Sequence, residues 1–337
     1  MARKREVTLS YQNYIEKPPA PPESLYKQAS SGDEVTINAW LDIWLKNIEA
    51  NKSKLGSFND HSLKDLFGQY ELRPAIIAGS GPSLKYNGAQ LKNRKGIPLI
   101  SCLHNFHFME DNELEPDYYV SLDAGEVVIE EVIEGGTRSE EEYWSLTRDR
   151  KLVCYIGSHP RLLDKWKGEI RVFNAPVPDD RYKQDVEEIE TYHTYISNGG
   201  NVLGACLYLA KGIFGANPIA FVGADFSFSY DKTFHPWSSK YDKKLGHCLR
   251  TFDVFGNKVL TWASYHNFKS WFEYVACQVP GIYINCSEGG TFGSYADGNI
   301  MDVKQMDLEE FFKMYQMHYL IEGQVTNPLV NENKILF

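Results

Sequence analysis

The stretch Pro74-Ala-Ile-Ile-Ala-Gly-Ser-Gly-Pro-Ser-Leu84 is a short apolar run that breaks into a glycine-rich loop. Ala75 to Ala78 are apolar without alternation, the pattern of a strand buried on both faces of a parallel sheet. Gly79 and Gly81 lack a Cβ, so the backbone there can turn sharply and approach a ligand closely. Pro82 suits the first turn of a helix, and Ser83 offers a hydroxyl beside the backbone N–H groups that a helix start leaves unpaired. A strand, a glycine turn and a helix N-terminus together make an anion site, most often for phosphate. Gly79, Ser80, Gly81, Pro82 and Ser83 are therefore read as one wall of a nucleotide site.

Outward from this stretch, strands and helices alternate. Strands are expected near 75–78, 98–102, 118–122, 152–156, 170–173, 218–222 and 282–285, with helices over Gly199–Phe214 and Trp262–Cys277. The pattern predicts an α/β fold with a mostly parallel sheet and helices on both faces. Residues 1–70 read as an extended arm, Pro-rich at 17–22, followed by an amphipathic helix. Residues 71–300 form the nucleotide-binding domain, and 301–337 a closing helix, over 307–321, and a tail. Ile37, Trp40, Leu41, Trp44 and Ile48 recur at helical spacing across 34–51. Their apolar face can dock on the main domain or on a second copy of the chain, which would give a homo-oligomer. Glu126–Arg150 is rich in charge and is expected to cover the sheet edge or the mouth of the site. Tyr230–Asp253 is a long polar and aromatic stretch after a strand, the length of a lid or binding element.

The 337 residues are 43% hydrophobic, enough for a sizeable core, and carry a net charge of −10. That balance argues against holding nucleic acid by phosphate neutralisation. The six cysteines form no Cys-x-x-Cys pair, so a zinc ribbon is unsupported. No secretory signal follows the basic start and no run reaches membrane-spanning length, so a cytoplasmic setting is expected.

In open α/β sheets, ligands bind beyond the carboxyl ends of the strands. The polar residues expected there are Asn105, Asp123 and Asp225, together with Asn198, Gly199, Gly200 and Asn201, which open the later helix. Each has a plainer reading. Asn105 suits a turn, Asp123 and Asn198–Asn201 suit helix caps, and Asp225 suits a hydrogen bond to backbone. His235 and His266 are the candidate bases, although a single histidine is more often a packing or surface residue.

Gly-Ser-Gly-Pro-Ser-Leu, Pro-Asp-Tyr-Tyr-Val-Ser-Leu-Asp, Asn-Gly-Gly-Asn-Val, Val-Gly-Ala-Asp-Phe and Cys-Ser-Glu-Gly-Gly resemble, in that order, motifs of the MptE-like (DUF115) family. The family includes archaeal 6-hydroxymethylpterin diphosphokinases and motility accessory factors that glycosylate flagellin with nonulosonic acids. The resemblance spans about Pro74 to Gly293 and implies a Rossmann-like fold. A more distant likeness is to bacterial sialyltransferases that use CMP-sialic acid. Cys102-Leu-His-Asn105-Phe106, Ser197-Asn-Gly199 and Gly223-Ala-Asp225-Phe226 resemble segments of those enzymes. Tyr265-His266-Asn267-Phe268-Lys269 loosely matches the place of their catalytic histidine.

The resemblance implies a nucleotide-dependent transferase. The favoured reaction moves a sugar, of nonulosonic type or another, from a CMP- or UDP-type donor to a hydroxyl of a small-molecule, glycan or protein acceptor. It calls for no metal. The alternative is pyrophosphoryl transfer from Mg-ATP to a pterin, with Mg²⁺ as cofactor. The chain has only Ser121-Leu122-Asp123 where the pterin enzymes carry a dense acidic motif, and no His-x-His-Gly-Asp counterpart. A third reading is a non-enzymatic binding or assembly module.

Overall fold

The computed structural model describes residues 23–186, 195–196, 198–238, 248–293 and 303–315, with side chains from residue 34 onward. The Pro-rich arm, Ser197, residues 239–247 and the part of the closing helix beyond 315 lie outside the described residues.

Ten strands are described: β1 Ala75–Ala78, β2 Leu99–Cys102, β3 Tyr118–Ser121, β4 Lys151–Tyr155, β5 Glu169–Phe173, β6 Ile219–Val222, β7 Cys248–Phe252, β8 Lys258–Trp262, β9 Tyr283–Asn285 and β10 Val303–Gln305. Eight of them form one sheet in the order β10-β9-β6-β1-β2-β3-β4-β5, and every described pairing in it is parallel. The sheet is therefore Rossmann-like, as the alternation implies. All seven strands expected from the sequence are present, with half of their ends displaced by one residue. The uniformly apolar pattern belongs to the centre of the sheet: every residue of β1, β2, β3 and β6 is buried. The edge strand β5 begins exposed, and β10 buries only its first residue.

The chain lays β1 to β5 outward on one side, then returns to place β6 against the other edge of β1. The strand order reverses between β1 and β6, the place where ligands bind in doubly wound sheets. Gly79–Ser83 leaves β1 and Gly223–Phe226 leaves β6, which puts both motifs at the reversal.

Three elements differ from the sequence reading. The stretch read as one long loop over 230–253 ends in a strand: β7 and β8 pair antiparallel as a separate hairpin. Cys248–Phe252 buries only Thr251, so its residues carry no hydrophobic period. The turn is built by Asp253, whose Oδ1 accepts from the N–H groups of Phe255 at 2.9 Å and Asn257 at 2.8 Å. β10, three residues long, also escaped the pattern. The expected 199–214 helix begins later, at Val202, and its last turn, Leu209–Ile213, widens into a π-helix.

The N-terminal helix runs over Glu23–Leu55, longer than the apolar spacing indicates. It packs on the main domain. Asn47 Nδ2 donates to Ala124 O at 3.0 Å and Gly157 O at 3.1 Å, and Asn51 Nδ2 to Ile156 O and Ser158 O, both at 2.8 Å. Leu41, Trp44, Leu45 and Ile48 join the core. Two amides thus bind the helix to the loops that follow β3 and β4, where buried carbonyls need donors. Ion pairs Asp42–Arg181 and Lys54–Asp164 flank them.

Candidate functional site: the crevice between β1 and β6

The loops leaving β1 and β6 interlock. The Gly79 N–H donates to Val222 O at 2.9 Å and the Gly81 N–H to Gly223 O at 2.8 Å. A Cβ on Gly79 would lie 2.5 Å from Gly223 O, and one on Gly81 2.6 Å from both Gly223 O and Asp225 Oδ1. The glycines of the opening stretch let two backbones touch. Asp225 is 2% exposed and accepts from the Ser83 N–H at 2.9 Å and from Ser83 Oγ at 2.5 Å. The third glycine motif closes around the same residue: Thr291 N donates to Asp225 O at 2.7 Å, and Ser287 Oγ accepts from Ala224 N at 2.9 Å. Ser83's donors are therefore spent on Asp225. The helix after the loop, Leu84–Asn87, is a single turn that starts beyond Pro82. The part of the loop left facing the crevice is Ser80 and Gly81, both partly exposed.

Burial pushes the Asp225 carboxyl up to about 6; the two Ser83 hydrogen bonds pull it down and Asp253 pushes it further up. A carboxyl raised in the folded state contributes stability that is complete below the unfolded value, about 3.9, and is lost as pH rises through about 6. Relative to Asp225→Asn, which does not titrate, the wild type should lose about 2.4 kcal/mol between pH 4 and pH 7.5. Urea unfolding of both proteins across that range checks this; parallel stability curves would contradict it.

The later glycine-rich turn comes to the same place. Asn201 caps the helix Val202–Tyr208 by accepting from the Gly204 N–H at 3.0 Å, and Asn198 Oδ1 accepts from the Gly200 N–H at 2.8 Å. Leu203, one residue into the helix, would lie 3.3 Å from a Cβ on Gly79. Phe268 and Trp271, on the helix Ala263–Gln278, pack against Gly200 and Gly199.

Beyond the loop, three histidines gather round one indole. His235 stacks on Trp237 with centroids 4.8 Å apart, while His104 and His107 meet Trp237 edge-on at 5.3 and 4.3 Å. His104 also meets His235 at 4.6 Å, and its Nε2 lies 3.5 Å from Glu134. Burial lowers all three imidazoles to about 4: His107 adds to this at His104, and His104 adds to it at His235. At His107, Asp111 and Glu134 pull the other way. His235 Nδ1 lies 2.8 Å from Ser80 O. A carbonyl oxygen can only accept, so Nδ1 carries the proton and Nε2 holds the lone pair. Asn105 is buried beside them. Its Nδ2 donates to Ala78 O at 3.2 Å and Ser101 Oγ at 3.3 Å. Its Oδ1 is buried with no hydrogen-bond partner among the described residues.

Acidic groups gather beyond the carboxyl end of β3. Asp123, just beyond β3, is open to solvent, yet the surrounding protein is close enough to raise its carboxyl above the ordinary range. Glu131 is pushed up to about 7 by burial, then by the charges of Asp123 and Glu134. Its charge also reaches Tyr265 on the helix Ala263–Gln278. Glu131 and Glu134 lie in the charged 126–150 stretch, expected from the sequence at the sheet edge or site mouth.

The strand ends therefore bring together Gly79–Ser83, Asn105, Asp225, the 198–201 turn and His235, with Asp123 at the end of the nearby β3. His266 sits one residue after Tyr265, half-buried, with its carbonyl accepting from Ser270 Oγ at 2.9 Å. His104, His107, Trp237 and Glu131 were missed. Among the described residues, no three imidazole, thiol or carboxyl groups stand together so as to hold a metal ion.

A family model described as 6-hydroxymethylpterin diphosphokinase MptE-like matches residues 46–231, more than half of the chain. The chain belongs to the MptE-like family. The match takes in the Gly79–Ser83 loop, Asn105, Asp123, the 198–201 turn and Asp225, and ends before His235. Among solved structures, this MptE-like chain is similar to a MAf glycosyltransferase from Magnetospirillum magneticum AMB-1, with a TM-score of 0.53 and 15% identity. At that identity the likeness is one of fold. The alignment covers 79% of this chain and 38% of the other, so the MptE-like chain spans well under half of that neighbour's length. Comparison with curated proteins finds no match. Among the described residues, no helix is long and apolar enough to cross a membrane.

Proposed function

We propose that the protein is a glycosyltransferase that takes a sugar from a CMP- or UDP-type donor to a hydroxyl acceptor in the β1/β6 crevice. The observation that carries the reading is His235, held by Ser80 O of the glycine loop with its Nε2 lone pair left available. A base locked in one tautomer beside a phosphate-friendly loop suits deprotonation of an acceptor hydroxyl. In the reaction, the acceptor oxygen bonds the anomeric carbon and the bond from that carbon to the donor phosphate breaks. The nucleotide leaves with the bonding pair, and the hydroxyl proton passes to His235 Nε2. A phosphate bound beside the ring raises its low pKa towards neutrality, since an opposite charge favours the imidazolium.

The nucleotide part is assigned to Ser80, Gly81 and the 198–201 turn. Asn105 is fully buried, so it is assigned a supporting place, its amide holding Ala78 O where the loop leaves β1. Asp225 and Ser83 act on the donor indirectly, by fixing the loop. The fold shared with a MAf glycosyltransferase supports the same direction. The Mg-ATP alternative needs several oxygen ligands round one ion, and Asp123, Glu131 and Glu134 do not gather into such a set among the described residues. His235 is preferred to His266 because it touches the loop.

The test is release of free nucleotide from CMP- or UDP-activated sugars in the presence of EDTA. The wild type should turn over, and His235→Gln should lose about 10²–10⁴-fold, the usual contribution of a general base. His235→Gln with wild-type turnover would remove the histidine from the mechanism. AMP formation from ATP and a pterin, abolished by EDTA, would replace the reading with the alternative.

A further inference from the structure

We propose that Trp237 is a positioning residue for the transfer: it holds the His235 ring on the glycine loop, and its face steadies the charge that the ring acquires with the acceptor's proton. The proposal deepens the glycosyl-transfer reading and rests on His235 being its base.

His235-Pro236-Trp237-Ser238 is a closed turn. The Ser238 hydroxyl accepts from the His235 N–H at 2.8 Å and the Phe234 N–H at 3.2 Å, and donates to His235 O at 3.1 Å. Pro236, between the two rings, has its φ fixed. The turn lays the imidazole and the indole nearly parallel, 7° apart in plane and 4.8 Å between centroids. The indole is wedged in place. It meets His107 edge-on at 4.3 Å, His104 edge-on at 5.3 Å and Phe108 at 6.2 Å. Gly135, which follows the helix Val127–Glu131, closes the side at Cδ1. A Cβ there would lie 2.6 Å from that atom, and a φ of +77° favours glycine as well. With the indole seated, His235 Nδ1 reaches Ser80 O at 2.8 Å.

A histidine base commonly donates from its second nitrogen to a carboxylate, which balances the positive charge formed on the ring. His235 donates its Nδ1–H to a neutral carbonyl instead. The groups against its ring are Phe234 at 4.2 Å, His104 at 4.6 Å and Trp237. Burial and His104 oppose a charge on the ring, while Glu134, 3.5 Å from His104 Nε2, favours one. Further out, Tyr265 stacks on Phe234 at 5.7 Å, and Asp111 acts on His107. The parallel indole supplies the attraction that a carboxylate would give. The face of an aromatic ring draws a cation held within about 6 Å of its centroid, tryptophan most strongly. The His235 ring is neutral before the transfer and charged during it. The attraction is therefore greatest in the transition state, the condition for an effect on rate rather than on binding.

Two measurements on the full chain test this: nitrogen NMR of the histidine side chains at neutral pH without donor, and the pH profile of nucleotide release. The wild type should hold His235 as the Nδ1–H tautomer. Trp237→Leu should lose that single tautomer, lower kcat about tenfold and leave the donor KM near its wild-type value. The acidic limb of kcat, which reports the ring with donor bound, should move to lower pH by about half a unit to one unit, because a ring without the indole is harder to protonate. Trp237→Phe should restore part of each effect. Fluorotryptophan at position 237 keeps the shape and withdraws charge from the face, so it should move the limb the same way while the tautomer stays; it serves if the leucine variant does not fold. A role in packing alone predicts a lower melting temperature with tautomer and limb unmoved. That result in Trp237→Leu, or a limb unmoved by fluorotryptophan, would overturn the proposal. Wild-type turnover in His235→Gln would remove the base assignment instead, and the tautomer, measured without donor, would still report whether Trp237 positions the ring.

Discussion

Replacing Gly81 with valine should abolish nucleotide binding and lower the melting temperature by several degrees. The Cβ would meet Gly223 O and Asp225 Oδ1 at 2.6 Å, and both are fixed partners rather than flexible chain ends. Gly223 O already holds the Gly81 N–H, and Asp225 holds Ser83 twice. Relief requires the loop to lift away from β6, which breaks these bonds and carries Ser80 away from His235. Overpacking of this kind costs about 1–3 kcal/mol. With about 2–4 °C per kcal/mol for a domain of this size, the protein should remain folded at room temperature. Should the valine variant fail to fold, Ser83→Ala serves instead. It removes the hydroxyl from a buried carboxylate, at about 1–3 kcal/mol, and loosens the same loop without a clash. A nucleotide-induced shift that survives in either variant at wild-type size would place the nucleotide elsewhere.

Glu110→Ala should be among the most damaging single changes in the domain, although it touches no proposed ligand. Glu110 is buried on the helix Phe106–Asp111, the element that follows Asn105 and carries His107. Its carboxylate accepts from Arg150 Nε at 2.8 Å and Nη2 at 2.9 Å, a two-pronged pair, and from Tyr119 Oη at 2.8 Å. Arg150 leads into β4 and Tyr119 lies within β3, so one carboxylate ties the helix to two strands. Truncation leaves a largely buried guanidinium and a buried phenol without their main acceptor. Breaking such a pair costs about 3–5 kcal/mol, or on the order of 10 °C in melting temperature. Glu110→Gln, which keeps an acceptor oxygen, should cost less. Thermal and urea unfolding check both; a loss under 1 kcal/mol for the alanine variant would show that Glu115, 3.4 Å from Arg150, takes over.

The central strands were legible because each is buried on both faces and so is mostly apolar without alternation, as Ala75–Ala78 shows most fully. The site motifs were legible as glycines and polar residues at strand ends. What those residues do was only half legible. Asp225 carried two readings, ligand contact and hydrogen bonding to backbone, and in the structure its carboxylate is held by Ser83, far away in sequence. No local pattern encodes that pairing. The same holds for the cluster round Trp237. His104 and His107 sit one helical turn apart, but the indole that joins them to His235 comes from the other half of the chain. Glu131 was seen only as part of a charged run, since its proximity to Asp123 is a matter of packing. The strand β7 escaped because it buries only Thr251 and lacks alternation. Trp40 was placed correctly on an amphipathic helix. Its position beside Gly125 depends on the bonds of Asn47 and Asn51 to loops more than seventy residues away.

The most direct test of the account is a thermal-shift series on the wild-type chain with CMP, CDP, UDP, GDP, ATP and AMP, each with and without Mg²⁺. A ligand that binds the native state raises its stability by mass action. The expected result is a shift with CMP or a pyrimidine diphosphate that persists without Mg²⁺ and disappears in Gly81→Val. A shift with ATP alone, present only with Mg²⁺, or no shift with any nucleotide, would contradict the assignment of the β1/β6 crevice to a nucleotide-sugar donor.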